Sequence, residues 1–97
     1  MGYEEHIKHV SGTKKGDILM FAISTCVWCK KTKKFLGELG VDYDYVDVDL
    51  LGEDEKEEAQ AEMQRWNPSV SFPTVVIDNK DCIVGYRPEE LKEKLGL

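Results

Sequence analysis

Cysteines stand at positions 26 and 29, one helical turn apart, the separation at which two thiols can close a small ring and open it again. An apolar run, Ile18-Leu19-Met20-Phe21-Ala22-Ile23, precedes them, and an amphipathic stretch from Lys30 to Leu39 follows. A strand that passes into a helix here places Cys26 on the first helical turn. Unpaired backbone N–H groups and the positive end of the helix dipole at that turn stabilise sulfur as an anion, the form that attacks disulfides. The chemistry suggested is thiol–disulfide exchange. A Cys-x-x-Cys is also half of a zinc site or one arm of an iron–sulfur site. A zinc reading needs about four ligands, and Cys82, His6 and His9 are the residues left to complete them. A metal-binding carrier module is therefore the alternative from another class. The redox reading calls for no cofactor and no metal.

The elements that must position this pair are legible from pattern. Residues 1–16 read as a polar extension containing a loosely packed short strand or helical turn, and residues 17–97 as the domain. The run from Ile18 has the length of a buried strand, and Ser24 and Thr25 supply capping chemistry. Trp28, Thr32, Phe35, Leu36 and Leu39 share one face of the following helix, which Gly40 ends. Trp28 either begins that buried stripe or flanks the sulfurs. Val41 to Leu50 alternates like a strand near a sheet edge, and Ala59, Met63 and Trp66 mark a helix from Glu53 that Asn67-Pro68 stops. Phe72 to Ile77 and Cys82 to Gly85 read as a hairpin around Asp78-Asn79-Lys80-Asp81, and Pro88 opens a last short helix. The order β-α-β-α-β-β-α fits an α/β fold, a four-stranded mixed sheet flanked by three helices.

Composition narrows the setting. With 97 residues and 41% hydrophobic content the chain makes one small domain. Three cysteines, two of them in the pair, are too few for a disulfide-stapled secreted scaffold, so a reducing compartment is expected. No stretch has signal-peptide or membrane-spanning character, and the expectation is a cytoplasmic monomer without membrane contact. A formal charge of −6 argues against a nucleic-acid partner. Lys30, Lys31, Lys33 and Lys34 crowd the segment after the cysteines, either as a solvated helix face or as a positive rim that attracts an acidic partner surface. Cys82 is expected to point into the core from the fourth strand.

Three motifs in order carry a resemblance: Cys26-Val27-Trp28-Cys29, Ser71-Phe72-Pro73-Thr74, and Lys80-Asp81-Cys82-Ile83-Val84-Gly85-Tyr86. Over about residues 17–95 the chain resembles the glutaredoxin family of the thioredoxin fold. The resemblance implies that Cys26 attacks a substrate disulfide and that Cys29 resolves the mixed disulfide, leaving a redox-active Cys26–Cys29 disulfide. It also implies a cis peptide at Pro73, which turns the Phe72 backbone outward to pair with a substrate chain as an added strand. Thr25, Val27, Trp28, Phe72, Pro73, Gly85 and Tyr86 are the substrate-binding residues it implies.

Glutathione contacts are only partly present. Gln60 and the Phe72-Pro73 backbone stand where the family places them. Ile23 occupies the place of a lysine, Val84-Gly85 that of paired glycines, and Arg87-Pro88 that of an acidic residue. Losing such partners costs about 1–3 kcal/mol each, so weak or no glutathione dependence is expected. Gly85-Tyr86-Arg87-Pro88-Glu89-Glu90-Leu91 instead resembles the end of the small glutaredoxin-like redoxins that donate electrons to ribonucleotide reductase. Those accept electrons from a flavoprotein or similar dithiol reductase. The implied function is reduction of protein disulfides as an electron donor to a partner enzyme, with a glutathione-dependent glutaredoxin as the alternative. Valine rather than proline at position 27 favours a stronger reductant, with a potential below about −200 mV.

Overall fold

A computed structural model describes residues 2–97. Its elements are β1 (Lys8–Val10), β2 (Ile18–Ala22), α1 (Val27–Leu39), β3 (Tyr43–Asp47), α2 (Glu53–Trp66), β4 (Thr74–Ile77), β5 (Asp81–Val84) and α3 (Pro88–Leu95). Short 3₁₀ turns at Tyr3–His6 and Val48–Leu50 complete the chain. One sheet runs β1-β3-β2-β4-β5, with β2 and β3 parallel and every other pair antiparallel. It has five strands, one more than the sequence pattern suggests.

The added strand is Lys8-His9-Val10, paired through Lys8 to Tyr45 and Val10 to Tyr43. Three residues with two exposed side chains carry no hydrophobic alternation, because an edge strand is held by its backbone ladder. It covers β3, which would otherwise present a bare edge. The polar first segment is thus built into the sheet, and the Tyr3 ring lies 5.8 Å from that of buried Phe21.

Helices cover both faces of the sheet. Met20, Ala22, Val75, Ile77 and Ile83 point to one face and pack with Cys29 and Leu36 of α1 and Leu91 and Leu95 of α3. Phe21, Val46 and Val76 point to the other and pack with Ala59 and Met63 of α2. Burying one such side chain fully contributes about 1.5–3 kcal/mol, so the alternation along β2 holds both layers to a single register. On α1 the buried stripe is Cys29, Thr32 and Leu36, which turns Trp28 off it. Gly40, at φ 70°, ends α1 with a left-handed turn whose N–H meets the Leu36 and Gly37 carbonyls.

The β1–β2 connection crosses the α1–β3 turn at very close range. Thr13 donates to the Gly40 carbonyl at 2.7 Å, and its own carbonyl accepts from Asp42 at 3.0 Å. A Cβ on Gly12 would sit 2.6–2.8 Å from backbone atoms of Val41, Gly40 and Asp42. Backbone cannot swing aside as a flexible side chain can. Gly12→Ala is therefore expected to lower stability by about 1–3 kcal/mol in urea denaturation, whereas Gly37→Ala, where a Cβ meets nothing within 4 Å, should not destabilise the chain.

Candidate active site

Cys26 is the N-cap residue of α1, and its sulfur accepts a hydrogen bond from the Cys29 N–H at 3.1 Å. The sulfur thus stands where the helix leaves backbone donors unpaired, and it does what a serine or aspartate oxygen does at ordinary helix starts. No acidic side chain lies in the first turn of α1 to offset that field. Cys29, one turn in, is fully buried. Burial, followed by the hydrogen bond to Cys26, pushes the Cys29 thiol up to about 12. The two sulfurs are unlike although they are close: one is partly exposed at a helix end, the other is shielded and protonated.

The turn before the helix is clamped from outside. Asp49, in the 3₁₀ turn after β3, accepts from the Ser24 N–H at 2.9 Å and from its hydroxyl at 2.6 Å. These bonds hold the Asp49 carboxyl below the usual carboxylate range. Thr25 is exposed, Val27 is 60% exposed and Trp28 54%, so the residues beside Cys26 in the chain present a largely apolar surface to solvent. Trp28 stacks on Tyr86 with ring centroids 6.1 Å apart, and Phe35 meets Tyr86 edge-on at 6.3 Å. The Lys31 ammonium sits 4.6 Å above the Trp28 ring. Trp28, Phe72, Gly85 and Tyr86 line an open cleft of about 250 Å³. The Phe72–Pro73 peptide is cis, and the Gly85 N–H donates to the Pro73 carbonyl at 2.8 Å, joining the two loops that bound the cleft. Gly85 takes φ 86°, a backbone conformation that glycine enters without the steric cost a Cβ brings.

This arrangement matches known proteins. The family model described as Glutaredoxin matches residues 18–82. The chain belongs to the glutaredoxin family. Among solved structures it is similar to the glutaredoxin from Methanosarcina mazei Go1, at 54% identity and a TM-score of 0.89, covering 95% of this chain and 89% of that one. It is similar to Methanosarcina acetivorans methanoredoxin at 53% identity and a TM-score of 0.87, covering 90% and 92%. A glutaredoxin-like 8.6 kDa protein in a rubredoxin operon of Clostridium pasteurianum is 35% identical over 74 residues, 76% of this chain and 91% of that protein. The fold is that of a thiol–disulfide oxidoreductase, with Cys26 and Cys29 as its Cys-x-x-Cys pair. No described helix is long and apolar enough to cross a membrane.

Of the seven further residues implied by the glutaredoxin resemblance, Thr25, Val27 and Trp28 are exposed at the start of α1, Trp28, Phe72, Gly85 and Tyr86 line one cleft, and Pro73, before β4, is buried. Cys82 does not point where expected. In β5 it is Ile83 that enters the core shared with α1 and α3, and Cys82, half-buried, pairs with Val76 on the opposite face. A strand has period 2, so placing Ile83 inward turns its neighbour outward. Burial still pushes the Cys82 thiol up. The structure does not gather His6, His9 and Cys82 in one place as ligands to complete a zinc site on the pair. His9 bonds Asp44 at 2.6 Å on edge strand β1, His6 bonds Glu55 at 2.9 Å, and Cys82 lies on the opposite edge. Of the lysines after the pair, Lys33 is held by Asp47 at 3.3 Å and lies 4.1 Å from the Tyr45 ring centroid, while Lys30, Lys31 and Lys34 are exposed.

Two groups of positioning contacts are not evident in the sequence. The pattern puts Asp49 among the alternating acidic residues of a strand from Val41 to Leu50, whereas β3 ends at Asp47 and Asp49 lies in the 3₁₀ turn after it, and Asn67 reads only as a helix stop. Only the pairing of distant segments gives either a partner.

The unlike environments of the sulfurs predict unlike reactivity. At about pH 8, iodoacetamide should add first to Cys26 in the reduced protein, more slowly to half-buried Cys82, and to Cys29 only on unfolding, as peptide mass mapping would read. The Cys29 thiol rises from 9.0 to about 12 on folding, so the folded chain keeps a proton the unfolded chain releases. Stability from this source is complete below about pH 9 and is lost as pH rises towards 12. Urea denaturation of the reduced protein against pH should show that alkaline loss, and Cys29→Ser should reduce it.

Proposed function

We propose that this glutaredoxin-family protein reduces disulfides in polypeptide substrates and serves as electron donor to a partner enzyme in the cytoplasm. The observation that carries the reading is the sulfur of Cys26, capping a helix beside an exposed aromatic shoulder, with a buried thiol one turn behind it.

In this mechanism the Cys26 thiolate attacks one sulfur of the substrate disulfide. That bond breaks as the mixed disulfide forms, and the departing thiolate takes a proton from solvent. Engaging Cys26 removes the hydrogen bond and the neighbouring charge that help keep Cys29 protonated, while Lys33 continues to favour its anion. Cys29 then loses its proton, attacks the Cys26 sulfur and releases the second substrate thiolate, which is protonated in turn. The substrate gains two electrons and two protons, and the pair is left as a disulfide. A dithiol reductase, flavin-linked or similar, returns two electrons by the same exchange in reverse.

Recognition in this reading uses the outward Phe72 backbone. Neither its amide nor its carbonyl is hydrogen-bonded to another described residue, which leaves both for an extended substrate chain. Thr25, Val27 and Trp28 would pack against residues beside the substrate cysteine, with Pro73, Gly85 and Tyr86 forming the far wall. Against glutathione dependence stands the guanidinium of Arg87, which bonds the Val84 carbonyl at 3.0 Å and approaches Glu90 at 3.7 Å. It puts positive charge where recognition of an ammonium group calls for a carboxylate, and Ile23 offers nothing to a substrate carboxylate.

Insulin reduction run in parallel with a thioredoxin-reductase-type supply and with glutathione plus its reductase tests this. Turnover is expected with the dithiol supply and should be weak with glutathione; turnover on glutathione alone would refute the electron-source assignment. Cys26→Ser should lower the rate more than about a thousandfold. Cys29→Ser should accumulate a mixed disulfide with the substrate, visible by mass spectrometry as the sum of the two masses.

A further inference from the structure

Asn67 is a buried polar residue, 4% exposed, at the C-terminal end of α2. Its backbone closes the helix: the N–H donates to the Met63 carbonyl at 2.7 Å, and the carbonyl accepts from Val70 at 2.9 Å. Its side chain faces the segment that leads to the cis peptide. The carboxamide N–H groups reach the Ser71 carbonyl at 3.2 Å, the Ser71 hydroxyl at 3.0 Å and the Thr74 hydroxyl at 3.1 Å. The carboxamide oxygen accepts from the Ser69 N–H at 3.2 Å. Thr74, also fully buried, donates its hydroxyl proton to the same Ser71 carbonyl at 2.8 Å.

These contacts bracket Phe72 and Pro73 from both sides without touching them. Three residues before Pro73, Val70 takes φ 50°, a left-handed conformation that a β-branched residue holds only where its surroundings impose it. The carboxamide is suited to that task, because it offers two donors and an acceptor at fixed separation from a residue that is itself buried. No catalytic atom lies in the network. It ties the position of the Ser71 backbone to α2 on one side and to β4 on the other.

We infer that Asn67 is a positioning residue for polypeptide recognition: its carboxamide, with Thr74, sets the Ser71–Phe72–Pro73 backbone in the orientation that pairs with an extended substrate. This rests on the proposed reduction of protein disulfides, and it adds the residue on which affinity for a chain, as distinct from reactivity with sulfur, depends. A small disulfide needs the Cys26 sulfur and little else. A polypeptide needs the Phe72 amide and carbonyl at the right height.

The test compares wild type, Asn67→Ala and Thr74→Val, with folding followed by circular dichroism. Thr74→Val keeps side-chain shape and removes only the hydroxyl, so it decides the matter should Asn67→Ala not fold. Each is assayed with dithiothreitol as electron source against insulin, and in single turnover against 5,5′-dithiobis(2-nitrobenzoate). The expected result is a KM for insulin raised about tenfold, with kcat, the small-disulfide rate and the rate of Cys26 alkylation within about twofold of wild type. An unchanged insulin KM in a folded variant, or equal losses on both substrates, overturns the positioning role and leaves the proposed function standing. A wild type that reduces the small disulfide and not insulin overturns both.

Discussion

A helix that begins on a sulfur atom is the constraint around which this molecule is arranged. The first turn of any helix leaves backbone donors that need an acceptor, and here the acceptor is Cys26. That single substitution of sulfur for the usual oxygen makes a structural requirement into a reactive group. It also sets the second thiol, because a residue three positions on must face inward when the helix lies on the sheet. Cys29 is buried for the same reason as Leu36. The difference between the two sulfurs, one at a field-rich helix end and one in an apolar layer, follows from helix geometry and needs no further charged group.

Reactivity of this kind is local, whereas recognition is assembled from distant parts. Tyr86 follows β5 and Trp28 lies on α1, yet their rings stack, and Lys31 sits over the Trp28 ring. The Pro73 carbonyl binds Gly85 across the gap between two strands. Strands β2, β4 and β5 lie side by side in the sheet, so the turns at their ends meet on one rim. Two clamps hold that rim: Asp49 on the turn before Cys26, and Asn67 on the turn before Pro73. Each is a polar side chain that bonds both a backbone group and a hydroxyl of the turn it holds, and such directional bonds fix position more firmly than apolar contact does.

Much of this was legible in the residues. The unbroken run from Ile18 has the length of a strand buried on both faces, and Cys-x-x-Cys, Phe-Pro-Thr and Val-Gly-Tyr in that order carried the family resemblance. The left-handed glycine after Leu39 and the proline before Glu89 ended and began helices as their backbones require. What the pattern leaves open shares a cause. A short strand or helical turn is expected in residues 1–16, but Lys8-His9-Val10 joins the sheet because β3 has an edge to cover, and Val48–Leu50 forms a 3₁₀ segment whose Asp49 reaches Ser24. Neither reason lies within the segment itself.

The residues alone therefore pointed to the chemistry, since two thiols one turn apart after a buried strand favour exchange, and two further motifs in order carried the family resemblance. Propensity, periodicity and capping act over a few neighbours, and such rules can be read along a line. Tertiary structure decided which face of β5 receives Ile83 and leaves Cys82 half-buried on the other, that β1 with His9 and β5 with Cys82 lie at opposite edges of the sheet, and that Trp28 stands exposed against Tyr86. Those outcomes depend on what occupies the space across the sheet, and that is set only when elements remote in sequence have packed together.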